Sequence, residues 1–219
     1  MIITIDGPAG SGKSTVADNL AMKLDFIHFN SGSLFRGVTA YLHAQNFNFE
    51  KITIDSEMPT MELEVEIKDN IQHVYVNKTD YTPVLRDNKI STLVAHVALN
   101  KNARKIIDDC QMTFSSTHNV VREGRDLGSH VFPNADIKFY LDCSIEERAK
   151  RRYNEEKIKG NNVSLKEIEK QIKERDFIDK NREIAPLVVP DGAIVVDSTN
   201  LTIDEVIKKM LAEIQANGI

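Results

Sequence analysis

Short apolar runs alternate along this chain with stretches whose apolar residues recur every three or four positions. Ile2 to Ile5 is the first such run, β-favouring and brief, and a glycine-rich turn separates it from a helical pattern that opens at Lys13 and ends near Leu24. Phe26 to Phe29 predicts a second strand, broken by Asn30-Ser31-Gly32. A helix is then expected from about Ser33 to Gln45, with Leu34, Val38, Tyr41 and Leu42 on one face. Two more helices are expected over Ile90 to Leu99 and Ala103 to about Phe114. Further core strands read at Asn119 to Val121, Ile137 to Leu141 and Ala193 to Val196. Three Ser/Thr-x-x-Glu signatures, at Ser144, Ser164 and Thr202, mark helix starts, and Gly160-Asn161-Asn162 ends the helix begun at Ser144. Five short strands separated by helices predict an α/β fold with a doubly wound parallel five-stranded sheet, all within one domain spanning 1–219.

Residues 62 to 80 break this rhythm. Leu63, Val65 and Ile67 alternate with Glu62, Glu64, Glu66 and Lys68; Asp69-Asn70 makes a turn, and Ile71 to Val76 runs back. This is a β-hairpin, with a third strand expected at Tyr81-Thr82 after a turn over Asn77 to Asp80. An antiparallel hairpin inside an alternating chain reads as an insert, about 62–82.

Chemistry enters with the first turn. Gly7-Pro8-Ala9-Gly10-Ser11-Gly12-Lys13-Ser14-Thr15 fits the phosphate-binding spacing G-x-x-x-x-G-K-[ST], in the strand-to-helix setting that such a loop requires. Its backbone N–H groups would converge on phosphate oxygens with the partial positive charge of a helix N-terminus behind them. Lys13 would reach the β- and γ-phosphates, and the Ser14 hydroxyl would hold Mg²⁺. The rest of the chain supplies cations at telling places. Arg36 falls in the first turn of its helix, where the helix dipole disfavours a cation and an anionic partner would explain it. Arg125 and Asp126 follow a core strand, at the end where open parallel sheets gather ligands. Arg148, Arg151 and Arg152 share one helix, and the turn after it suits a lid hinge. In the helix opened by Ser164, an inward stripe through Leu165, Ile168, Ile172, Arg175, Asp179 and Arg182 changes from aliphatic to ionic partway, as a face does when it meets something charged.

Composition narrows the classes. A formal charge of −5 argues against a surface for nucleic acid, so any phosphate recognition must be local. Two cysteines, 110 and 143, and six scattered histidines give neither a disulfide framework nor a metal spacing. No signal peptide precedes the first strand and no apolar run approaches a membrane span, so a soluble cytoplasmic monomer with no nucleic-acid or membrane partner is expected. No Ser/His/Asp grouping or catalytic base stands out. An acceptor that is itself a phosphate would need none.

Several runs together resemble bacterial cytidylate kinases. They are Asp6 to Thr15, Ser31-Gly32-Ser33-Leu34-Phe35-Arg36, Glu123-Gly124-Arg125-Asp126-Leu127-Gly128, Val131-Phe132-Pro133, Glu146-Glu147-Arg148-Ala149, and Glu174-Arg175-Asp176 through Asn181-Arg182 to Ala185-Pro186-Leu187. The resemblance covers almost the whole chain. It implies ATP-dependent phosphorylation of CMP and dCMP with Mg²⁺, an acceptor-binding region over 46–100 that contains the β insert, and a lid over 150–165. By position, Arg36, Arg125 and Arg182 would hold the CMP phosphate, with Ser31 beside them. Asp179 with Arg175 would meet the sugar, Arg104 and Asp126 would read cytosine, and Arg148, Arg151 and Arg152 would close on the triphosphate. The chain departs from the family pattern at Asn30, at Leu34-Phe35 and at Ala95, where a base-contacting serine is expected. A kinase for another small acceptor, UMP or a sugar acid, and a nucleotide-gated binding module without an acceptor are the competing readings.

Overall fold

The computed structural model describes residues 1–158 and 160–218. Its helices and strands run, in chain order, β1 Ile2–Asp6, α1 Lys13–Leu24, β2 Ile27–Asn30, α2 Ser31–Ala44, β3 Leu63–Lys68, β4 Ile71–Val76, β5 Thr79–Asp80, α3 Asn88–Leu99, α4 Lys101–Ser115, β6 Val120–Glu123, β7 Ile137–Asp142, α5 Ile145–Ile158, α6 Leu165–Asn181, β8 Ile194–Asp197 and α7 Ile203–Ala216. Five strands form one sheet in the order β2-β6-β1-β7-β8, and three form a second in the order β3-β4-β5. In the first sheet β1 pairs with β7, and β7 with β8, in parallel register. The expected doubly wound α/β sheet is therefore present.

The chain divides into two compact units, one of residues 1–26 with 121 onwards, the other of 27–120. In the first, Ile3, Ile5, Val121, Phe139 and Leu141 of the strands pack against Val16 and Leu20 of α1 and against Val206, Ile207 and Met210 of α7. Parallel strands covered on both faces become nearly continuous apolar runs, which is why these segments do not alternate. Each such buried side chain contributes about 1.5–3 kcal/mol. The loop between β1 and α1 depends on Gly7: its φ is 147°, and a Cβ there would sit 2.2 Å from the carbonyl oxygen of Leu141.

The unit of 27–120 packs Phe29, Leu34, Val38 and Leu42 against Val76, Val97 and Ile107. Its hairpin turns on Asp69 and Asn70, both at positive φ, as a two-residue connection between right-twisted strands demands. Gln72 of β4 grips the backbone of Asn30 twice: its side-chain oxygen accepts the Asn30 N–H at 2.7 Å and its amide donates to the Asn30 carbonyl at 3.1 Å. Two residues further along, Val74 meets α2 at Gly37, where a Cβ would lie 2.5 Å from a Val74 methyl.

Several boundaries differ from expectation. Helix α2 starts at Ser31, two residues early, because the Asn30 side chain accepts the Ser33 N–H as its cap. Arg36 consequently lies in the second turn. The third insert strand is Thr79–Asp80, not Tyr81-Thr82, since Asn77 and Lys78 both take positive φ and reverse the chain in two residues. Leu165 is 40% exposed, so the inward stripe of α6 begins only at Ile168. Ser164 and Thr202 form complete capping boxes. At Ser144 the hydroxyl does accept the Glu147 N–H, but the Ser144 N–H goes to Thr199 and the Glu147 carboxylate accepts from Arg151 instead. Position 159, inside the expected lid segment 150–165, lies outside the described residues.

Candidate active site

The site in the sheet-bearing unit starts where β1 ends. From Gly7 the backbone loops through Pro8, Ala9, Gly10 and Ser11 to Gly12, which precedes α1 at φ 94°. Lys13 is buried and folds back along this loop, donating to the Pro8 carbonyl at 2.6 Å. Burial first, and the neighbouring positive charge of Arg125 second, hold its pKa well below the usual lysine value. Ser14, one residue on, donates its hydroxyl to Glu123 Oε2 at 2.7 Å, bringing the end of β6 against the start of α1. Thr15 is exposed, with its carbonyl capped by Asn19.

Arg125, Arg175 and Arg182 assemble around one carboxylate. Arg125 Nε and Arg175 Nε each approach Asp179 Oδ2 at 3.3 Å. Burial would raise the pKa of Asp179, but the summed charge of Arg125, Arg175 and Arg182 outweighs it and holds the group ionised, below its ordinary value. Arg182 directs Nε to the Ala185 carbonyl at 2.5 Å and brings its other end to within 3.2 Å of Asp126 Oδ2. Asp126 is itself buried. Three guanidinium groups are thus gathered around Asp179 and Asp126, a local concentration of cations of the kind that receives an anion.

The arginines of α5 fare differently from one another. Arg151 lies partly exposed, with one guanidinium nitrogen 3.6 Å from where a Cβ of Gly12 would be. It donates to Glu147 and to the Ser198 carbonyl. Arg152 is exposed. Arg148, expected on a mobile lid, is instead buried at 3% exposure and donates to the Cys143 carbonyl, the Ala9 carbonyl and Asp176.

The unit of 27–120 carries its own set at the start of α2. Ser31 is buried, and its hydroxyl has no hydrogen-bond partner among the described residues. The Arg36 side chain reaches back toward the helix start, with one guanidinium nitrogen 3.2 Å from where a Cβ of Gly32 would sit. Arg104 is buried on α4, donating to the Ala98 carbonyl and lying over the Phe35 ring at 5.3 Å. Ala95 is half-buried on α3.

A family model for cytidylate kinase matches residues 3–216. This chain belongs to the cytidylate kinase family. Cytidylate kinase of Fusobacterium nucleatum is 39% identical over 216 residues, which cover 98% of this chain and 97% of that protein. That of Carboxydothermus hydrogenoformans is 40% identical over 212 residues, 96% of each. Among solved structures, the Thermus thermophilus protein TT1252 superposes with a TM-score of 0.54 at 15% identity, covering 99% of this chain and 96% of that one; the likeness is one of fold.

For a cytidylate kinase, three residues outside the expected set stand out. Glu123, Asp6 and Asp176 were legible only as letters within motifs. Glu123 faces the hydroxyl of Ser14. Asp6 is wholly buried, accepting the N–H groups of Leu127 and Gly128 at 2.9 and 2.7 Å, and burial pushes its pKa up to about 6 against those bonds. A carboxylate beside an apolar strand was the available signal, since buried Asp is rare without a partner.

Proposed function

We propose that this protein transfers the γ-phosphoryl group of ATP to CMP and dCMP. The carrying observation is the guanidinium cluster of Arg125, Arg175 and Arg182, built into the same unit as the phosphate loop of a cytidylate kinase family member. Two unit charges of one sign 4 Å apart repel by about 4 kcal/mol at an effective dielectric of 20, so one phosphate approaches another only with cations between them. A CMP phosphate oxygen attacks the γ-phosphorus in line, the bond to the β,γ-bridging oxygen breaks, and ADP leaves. The acceptor is already an anion, so no general base is required.

In this reading the backbone of residues 7–15 holds the triphosphate and Lys13 balances the charge that grows on the transferring group. Arg125 and Arg182 hold the acceptor phosphate. Arg36 and Ser31 are assigned to the acceptor from their place in the family's motif, and the Ser31 hydroxyl has no hydrogen-bond partner among the described residues. Arg175 and Asp179 are assigned to the sugar, Arg104 and Asp126 to the base. A carboxylate accepts from the exocyclic amine of cytosine, whereas uracil offers an oxygen there, a difference of about 1–3 kcal/mol. Asp126 also meets Arg182, so the group that would read the base helps fix a phosphate-binding cation. Arg151 is assigned to the triphosphate, from its place beside Gly12. The Ser14 hydroxyl and the Glu123 carboxylate are hard oxygen donors of the kind Mg²⁺ selects, Ser14 as ligand and Glu123 beside it; the ion would neutralise charge on the β- and γ-phosphates.

An acceptor screen tests this directly. With Mg·ATP, ADP should appear with CMP or dCMP and much more slowly with UMP. Absence of CMP-dependent turnover would refute the assignment.

A further inference from the structure

Arg148 joins three separate segments in the interior. Its Nε donates to the Cys143 carbonyl just past β7, at 2.9 Å, and Nη1 to the Ala9 carbonyl in the phosphate loop, also at 2.9 Å. The third nitrogen, Nη2, donates to Asp176 Oδ2 on α6 at 2.6 Å, with both side chains almost wholly buried. The stem of Arg148 packs on the loop as well, 3.5 Å from where a Cβ of Gly10 would lie.

The contact to Ala9 has a directional consequence. A trans peptide is planar, and its C=O and N–H point opposite ways. A guanidinium that fixes the Ala9 carbonyl therefore also fixes the direction of the Gly10 N–H, one of the donors a phosphate loop presents to its anion. Arg148 can hold that carbonyl only while its fork is itself held, and a planar fork with three directed donors allows little freedom once Asp176 occupies one end. Asp176 in turn belongs to α6. Arg175 is its immediate neighbour, Asp179 lies one turn on, and Arg182 caps the helix. Asp176 Oδ1 is buried with no hydrogen-bond partner among the described residues, so its pairing with Arg148 is what offsets the burial of its charge.

We propose that Asp176 is a positioning residue that, through Arg148, ties the orientation of the phosphate loop to the helix that carries Arg175 and Asp179 and ends at Arg182, so that ATP and CMP bind with positive cooperativity. The inference rests on the assignment of the loop to ATP and of Arg125 and Arg182 to CMP. A loop tightened on a triphosphate holds the Ala9 carbonyl in place, which holds Arg148, which restrains α6 in the arrangement that receives the second phosphate. By linkage, CMP must strengthen ATP binding by the same factor.

The test is the CMP dissociation constant of the full-length protein, measured calorimetrically with and without a non-hydrolysable ATP analogue plus Mg²⁺. Wild type should bind CMP at least about fivefold more tightly with the analogue. In Asp176→Asn that factor should fall to near one, while CMP alone binds within a few-fold of wild type. Arg148→Lys keeps the charge but cannot span three partners, and should lose the coupling likewise; it carries the prediction if Asp176→Asn does not fold. A merely structural role would lower the melting temperature and leave the ratio unchanged. An unchanged ratio in a folded variant, or a wild type that shows no coupling, overturns the proposal. Failure of the underlying assignment looks different, since wild type would then show no CMP-dependent turnover at all.

Discussion

At the scale of single residues, burial decides what each charge can do. Arg182 and Asp126 face each other at 5% and 8% side-chain exposure, whereas the Arg125 side chain is 26% exposed. Arg182→Ala would remove one cation from the buried Asp126 carboxylate, so we expect it to lower stability by about 1–3 kcal/mol as well as weaken CMP binding. Arg125→Ala takes one of two guanidinium partners from the buried Asp179, so it should weaken CMP binding and transfer and lower stability by about 1 kcal/mol, with Arg175 still paired to the carboxylate. Chemical denaturation alongside steady-state kinetics separates the two. Lys13→Met should cut kcat by about a hundredfold or more with CMP affinity little changed, the pattern of a group that acts on the transferring phosphate. Asp6 makes a pH prediction. Its folded pKa of about 6 lies above the ordinary 3.8, so between those values the folded state holds the proton more tightly and stability falls as pH rises. At about 1.4 kcal/mol for each pH unit between the two values, the loss is on the order of 3 kcal/mol. Denaturation midpoints at pH 4.5 and 6.5 should show this slope in wild type relative to Asp6→Asn, where the titrating group is gone.

Elements carry the next level of explanation. Strand β4 supports α2 at two points, the double hydrogen bond from Gln72 to Asn30 and the Val74 contact at Gly37. The β insert thus props the helix whose first turns hold Ser31 and Arg36. Gly37→Ala improves helix propensity by up to about 1 kcal/mol but drives a Cβ to within 2.5 Å of Val74, an overpacking worth about 1–3 kcal/mol. We expect net destabilisation and a fall of a few degrees in the calorimetric melting temperature. The insert as an antiparallel hairpin was legible from its strict alternation. Its third strand was misplaced by two residues, because the reversal at Asn77-Lys78 relies on two positive φ values in residues for which positive φ is a minority state. The complete caps at Ser164 and Thr202 were equally legible, being local. The incomplete one at Ser144 was not, since Thr199 and Arg151, which take its missing bonds, come from outside the four-residue signature.

For the molecule as a whole, net charge and function pull in opposite directions. A chain of formal charge −5 that binds two anions must concentrate its cations locally, and the Arg125, Arg175 and Arg182 cluster is such a concentration. CMP at about a hundred times its dissociation constant should stabilise the fold by about 2.7 kcal/mol, a rise of several degrees in melting temperature, with a smaller rise for UMP at equal concentration. What the sequence determined by itself was whatever depends on neighbours along the chain: the strand-loop-helix of the phosphate site, the alternation of strand and helix, the capping boxes, and the motifs that mark a cytidylate kinase. Tertiary structure alone decided which charges are buried against which. Arg148 and Arg152 look alike in sequence, four apart on one helix, yet one is locked between Ala9, Cys143 and Asp176 and the other is exposed. The difference arises from partners 28 and 139 positions away, a separation at which local propensity carries no information and only packing assigns the contact.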